Sequence, residues 1–221
     1  MKILALEFSS PQRGVAVIER SGASGSWIEH EAVETGSDSN KPFELIEMVL
    51  SRAALEREQI DSIVIGLGPG SYTGIRAAIA LAQGWQLGRA VKLQGCSSAE
   101  CLAAQAHQQG LRGRIAVVID AQRGEFYLAN FELETSTWQE VQPLRLVSES
   151  SVAECEARGE LVLGPEVRNW FRKGQVMFPR AATLGRIALA RTSYLSGEQL
   201  EPIYLRKPSF VKAPPARILP D

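Results

Sequence analysis

One stretch constrains this chain more than any other: IGLGPGSYTGIR, from Ile65 to Arg76. An apolar run from Ser62 to Leu67 ends in Gly66, Gly68, Pro69 and Gly70, and the sequence then opens into a helix of small residues. Glycines at this spacing let the backbone turn tightly and approach another group closely. Pro69 stiffens the middle of the turn. Ser71 and Thr73 stand where they can accept from unpaired N–H groups at the start of a helix that begins near Gly74. A strand, a glycine-rich turn and a helix N-terminus make either an anion cradle or a tight packing joint between strand and helix. Two nucleotide-binding motifs are excluded. A P-loop needs a lysine, and none lies between Lys41 and Lys92; the dinucleotide pattern needs a third glycine where Ser71 stands.

The 221 residues suffice for one or two domains with a real core. With 45% apolar residues, 22% charged residues and a net charge of −1, nothing advertises a general affinity for nucleic acid or anionic membrane. The start, MKILALEF, is too short and too broken by Glu7 for a signal peptide, and no run is long enough to span a bilayer. Cys96, Cys101 and Cys155 form no metal pattern and read as buried thiols of a cytoplasmic protein.

Two blocks share a gross order. In the first, strands over 2–8, 14–20 and 26–33 precede a helix over 41–57. A strand at 62–67, a helix at 74–87, a short extended piece at 91–94 and a helix at 99–109 follow. The second block opens with strands at 114–120 and 125–133 across the turn Ala121–Gly124. It continues with a strand at 141–147, a helix at 149–158, a strand at 161–163 and a helix at 181–196. The division predicts an N-terminal lobe over 1–110, a C-terminal lobe over 111–200, and a proline-rich basic tail over 201–221, either a solvated, partly disordered end or a basic arm that touches RNA or an acidic neighbour.

Few residues offer chemistry. His30 and His107 have no histidine partner at ligand spacing and read as surface residues, and no G-x-S-x-G elbow occurs. Glu7 and Asp120 each end the first strand of a block beside a turn. Such carboxylates either hold a metal-bound water near nucleotide phosphates or bond local backbone N–H groups. The helix after the glycine loop is the other unusual element: after Arg76 no charge appears until Arg89, and Ala77 to Ala82 are apolar on every face. A helix apolar all round must be covered all round. Its expected neighbour is the helix over 41–57, with Phe43, Ile46, Leu50 and Ala54 on one side, capped by Asn40 and with Pro42 in its first turn.

Taken together, MKILALEFSS followed by GVAVIE, IGLGPGSYTGIRAAIALAQG, VIDAQRGEFYLANF and PIYLRKPSF resemble the bacterial TsaB (YeaZ) family over nearly the whole length. The resemblance implies an α/β fold of two related lobes, each built on a mixed sheet, of the actin/Hsp70/sugar-kinase-like kind. It implies a non-catalytic subunit that supports TsaD in N6-threonylcarbamoylation of the adenosine 3′ to the anticodon, in tRNAs reading codons that begin with A. The implied partners are TsaD, then TsaE in a ternary complex, a second copy of the chain when TsaD is absent, and tRNA through the complex. No metal or tightly bound cofactor is expected, with ATP or ADP only within the complex. The metal-binding histidine pair of TsaD is missing from the corresponding segment, SNKPFELIEMVL.

The excess apolar surface of the two helices predicts a partner interface at Phe43, Ile46, Leu50 and Ala54 and at Ile75, Ala78, Ile79, Ala82 and Trp85, with burial inside one chain as the alternative, and the resemblance implies a partner surface on the same two helices. The glycine loop (Gly66, Gly68, Pro69, Gly70, Ser71, Thr73 and Gly74) is expected to contact a nucleotide or the partner. Glu7, Ser9 and Asp120 are expected to be remnants of a nucleotide site. Glu7 and Phe8 stand where this fold more often has aspartate and threonine, which would crowd a phosphate or its metal. The rival readings are a self-sufficient nucleotide-dependent enzyme of the same fold and a peptidase.

Overall fold

A computed structural model describes residues 1–21, 26–36 and 41–206. Five strands form the first sheet: β1 (Lys2–Glu7), β2 (Gln12–Ser21), β3 (Ser26–Thr35), β4 (Ser62–Gly66) and β5 (Lys92–Cys96), in the order β3-β2-β1-β4-β5. The first three pair antiparallel, while β1, β4 and β5 run parallel. This explains why β1 and β4 read as unbroken apolar runs: both are buried on two faces, as parallel strands must be.

The second sheet repeats the plan with β6 (Gly113–Asp120), β7 (Glu125–Leu133), β8 (Trp138–Ser148), β9 (Leu161–Gly164) and β10 (Gln175–Val176), ordered β10-β9-β6-β7-β8. An antiparallel meander followed by parallel strands on its other side, made twice, is the two-lobed actin/Hsp70/sugar-kinase-like architecture. The short β10 had no strand signal in the sequence; it pairs with β9 over two residues only.

The helices cross between the sheets. One face of the first sheet (Leu4, Leu6, Val15, Val17, Ile63, Ile65) is covered by α1 (Pro42–Ala53) and α2 (Tyr72–Gly88). Its other face (Ile3, Ala5, Ala16, Ile18, Val64) is covered by α5 (Ala181–Leu189), a helix from the second half of the chain. Conversely α3 (Ser98–Gln108), from the first half, packs Ala99, Leu102, Ala103 and Ala106 on Ile115, Val117, Tyr127 and Ala129 of the second sheet. The helices α3 and α5 touch between the sheets, and α4 (Glu149–Ala157) covers the outer face of the second sheet through Val152 and Cys155. The packing units therefore do not follow the segments 1–110 and 111–200: each sheet is finished by a helix from the other segment.

Three local expectations change. The last helix ends at Leu189 rather than 196, because tertiary partners take the chain beyond it: Gln94 Nε2 donates to the Arg191 carbonyl at 3.2 Å and Leu195 pairs with Leu93. The first residues of the tail are not a solvated end but lie on both lobes, with Ile203 N donating to the Leu67 carbonyl at 2.8 Å. The described start of α1 has Lys41 as its N-cap without a side-chain cap bond. The proposed cap Asn40, the flexible tip at 22–25 and the tail from 207 onward lie outside the described residues.

Candidate functional site

The glycine loop works as a clasp on the first hairpin turn. Built onto Gly66, a Cβ would run into the Glu7 carboxylate; at Gly70 it would meet the Ser9 carbonyl, and at Gly74 the Phe8 carbonyl. Gly70 also has φ +147°, a conformation L side chains rarely adopt. The polar groups of the loop are spent inside the protein. Ser71 N donates to the Ser9 carbonyl at 2.7 Å, Ser98 N to the Gly68 carbonyl at 2.7 Å, and Gly74 N to Ser71 Oγ at 3.3 Å. Ser71 is thus the N-cap of α2, while Thr73 is exposed on its first turn. Of the two readings of the loop, close packing is the one these bonds serve, since the N–H groups of Ser71 and Gly74 already have acceptors.

Glu7 is no cleft residue. It is fully buried beneath the loop, where Ser9 N donates to Oε1 at 2.8 Å and Ser98 Oγ to Oε2 at 3.0 Å. Burial raises its carboxyl above the ordinary value of 4.5, against the bonds from Ser9 and Ser98, which lower it. The expected trio of Glu7, Ser9 and Asp120 is therefore split. Ser9 and Asp120 do share a cleft between the lobes, about 260 Å³, with Ser10, Tyr72, Gln122, Tyr127 and Glu166. Asp120 takes the turn role: its two oxygens accept from Gln122 N at 2.7 Å and Gln122 Nε2 at 2.8 Å. Among the described residues no lysine or arginine lines the cleft, so these walls bring no positive charge to a phosphate.

A second concavity, about 430 Å³, lies between α1 and α2 on the outer side of the first lobe. Its walls are Phe43 and Ile46 of α1 and Ala80, Leu81, Gly84, Trp85 and Gly88 of α2, and Arg57, Glu58 and Arg89 stand at its rim. Phe43 is 64% exposed, an unusual state for a phenylalanine. The expected interface residues divide here. Ile46, Leu50, Ile75, Ala78, Ile79 and Ala82 are buried in this chain's own core, although Ile46 still reaches the groove. Phe43, Ala54 and Trp85 remain at the surface. The helix is not covered all round: its inner face sits on the sheet, and its outer stripe at Ala80, Gly84, Leu87 and Gly88 is exposed.

Sequence periodicity missed Ala80, Leu81 and Gly84, which the groove does present. A signal existed in Gly84. Within a helix, glycine costs about 0.5–1 kcal/mol relative to alanine, yet a Cβ at Gly84 would meet nothing within 4 Å in this chain.

Among the described residues no group of three His, Cys, Asp or Glu side chains could hold a metal ion. His107 Nε2 lies 3.0 Å from the Glu134 carbonyl, and His30 of β3 stands opposite Val17 of β2. All three cysteines are buried and free. Burial, with Glu100 next in effect, raises the Cys96 thiol well above its ordinary value, and burial does the same for Cys101, so neither is a ready nucleophile. No described helix is long and apolar enough to cross a membrane.

The family model described as TsaD, tRNA N6-adenosine threonylcarbamoyltransferase, matches residues 39–207. The chain belongs to this family. Within it, the chain stands with the TsaB (YeaZ) members. It is 27% identical to the tRNA threonylcarbamoyladenosine biosynthesis protein TsaB of Escherichia coli, over 93% of this chain and 95% of that one. Identity to the TsaB of Haemophilus influenzae is 24%, over 98% of both chains. The solved structure of YeaZ from Pseudomonas aeruginosa superposes with a TM-score of 0.77 at 24% identity, covering 92% of this chain and 99% of that one. The fold of this chain is therefore that of YeaZ.

Proposed function

We propose that this chain is a non-catalytic subunit in threonylcarbamoyladenosine synthesis on tRNA. It binds a TsaD-type transferase through the groove between α1 and α2. The relatives named TsaB support the pathway, and the absence of a histidine pair from 41–57 argues against a metal-dependent transferase centre in this chain. The single observation that carries the partner role is the groove itself: exposed Phe43 facing Leu81 and Trp85, with Gly84 leaving its floor open. An exposed aromatic beside a helix without side-chain bulk is what a close helical partner needs. Arg57 and Arg89 at the rim favour a partner that brings carboxylates to the edge of the contact.

In this reading the transferred group, the adenosine and any ATP or ADP are handled within the cytoplasmic complex. TsaE joins the pair, and two copies of this chain meet through the same groove when the transferase is absent. The test is Ala80→Glu, at an exposed position of the groove, titrated against the TsaD-type protein of the same organism. Loss of the complex and of tRNA modification, with an unchanged melting temperature, is the expected result. An intact complex would move the interface elsewhere.

A further inference from the structure

The segment from Leu195 to Arg206 runs from one lobe to the other. Its first part is anchored on the N-terminal lobe. Leu195 pairs with Leu93 of β5, Gly197 N donates to Gln86 Oε1 at 3.1 Å, Gln83 Nε2 donates to the Gly197 carbonyl at 2.8 Å, and Leu200 is buried in the core beneath α2. Ile203 N then bonds the Leu67 carbonyl at 2.8 Å, and Tyr204 stacks on Tyr72, the first residue of α2, with ring centres 5.2 Å apart. Arg206 crosses over. Its Nη2 donates to the Gln122 carbonyl at 3.0 Å, in the turn between β6 and β7, and to Oε2 of Glu125, the first residue of β7, at 2.5 Å.

That turn is held in an unfavourable shape. Gln122 and Arg123 lie at φ 64° and 60°, a region non-glycine residues seldom occupy. Arg206 on the carbonyl of Gln122 and Asp120 on its N–H grip the turn from two sides. Gln122 also lines the cleft between the lobes, as does Tyr72. Tyr204 and Arg206, at the far end of the strap, thus fasten onto cleft walls of different lobes. The bond across the gap is an ion pair with both partners partly exposed, at 28% and 45%. Such a pair contributes little to overall stability and exchanges readily.

We propose that residues 195–206 form a releasable strap that sets the width of the interlobe cleft, with Arg206 as its catch. Opening the cleft breaks the contacts of Arg206 with Gln122 and Glu125 while the anchors on the N-terminal lobe hold. This rests on the strap alone and is independent of which partner occupies the α1–α2 groove.

Two spin labels, on Glu56→Cys in the first lobe and Ser136→Cys in the second, report the interlobe distance in the full chain; the native cysteines are buried and stay unlabelled. With the strap intact one narrow distance distribution is expected. Arg206→Glu adds a longer population, and combining it with Glu125→Arg returns the narrow one. Arg206→Ala serves as the milder second variant. Hydrogen exchange at the Ile203 amide reads the anchor: Tyr204→Ala speeds it ~10-fold, whereas Arg206→Glu leaves it protected. A distribution unaltered by both Arg206 variants, or a longer population that the charge swap does not reverse, would overturn the proposal.

Discussion

Gly74 and Gly84 stand in the same helix and do opposite work. At Gly74 a methyl group would drive into the Phe8 carbonyl, so Gly74→Ala forces the clasp open, at a cost of about 1–3 kcal/mol. At Gly84 the space is empty, and Gly84→Ala should stabilise the isolated chain by about 0.5–1 kcal/mol. Urea denaturation of the two variants checks the pair of signs. Glu7 gives a third residue-level prediction. Its folded pKa is raised by burial, so the favourable contribution of the protonated form is complete below 4.5 and fades as pH rises through the folded value. In Glu7→Gln the amide can still accept from Ser9 N and donate to Ser98 Oγ. The variant should therefore gain in melting temperature over the parent as pH is raised from 4 to 8, with little difference at the acid end. A gap that widens toward acid instead would mean that the carboxylate form is the stabilising one.

The two helices of the groove sort their residues by direction rather than by hydrophobicity. Ala78 and Ala82 face the sheet, whereas Ala80 and Gly84 face outward. Replacing Ala78 by Glu is therefore expected to unfold the first lobe, because it buries an unpaired charge. Phe43→Asp should leave far-ultraviolet circular dichroism unchanged and weaken partner binding by about 2 kcal/mol or more, the scale of an interface anchor. Calorimetric titration against the TsaD-type partner measures it. Gly84→Ala belongs to the same experiment: a chain that is more stable yet binds less well would show that the glycine is kept for the partner. The existence and type of α1, α2 and their strands were legible from apolar spacing and from the turn at Gly66–Gly70. Which face of α2 stayed open was not, because alanine runs carry no periodic contrast and only the sheet position picks the inner side.

At the scale of the whole molecule, the exchange of α3 and α5 makes the two lobes interdependent. Leu184 of α5 is fully buried against the first sheet, 118 residues or more from the strands β1, β2 and β4 that its helix covers. Leu184→Ala is expected to cost about 2–5 kcal/mol and to loosen hydrogen exchange in β1 and β2 as strongly as in α5 itself. A fragment ending at residue 110 would expose Ile3, Ala5, Ile18 and Val64 to water and lose the sheet on which α3 rests. Such a fragment should fail to give a folded spectrum. An independently folded fragment would show that α5 is dispensable for the first lobe.

The sequence by itself determined the two repeated blocks, the tight turn at Gly66–Gly70, the absence of the common nucleotide-binding motifs and, through its long matching segments, the family. Those are properties of local backbone freedom and apolar spacing, and they are written residue by residue. Only the tertiary structure decided that Glu7 lies under the loop rather than in the cleft, that α5 completes the first sheet, and that Tyr204 and Arg206 join the lobes. Each depends on which distant surfaces meet: an apolar run such as β1 announces that both its faces are covered, but not which remote segment covers them.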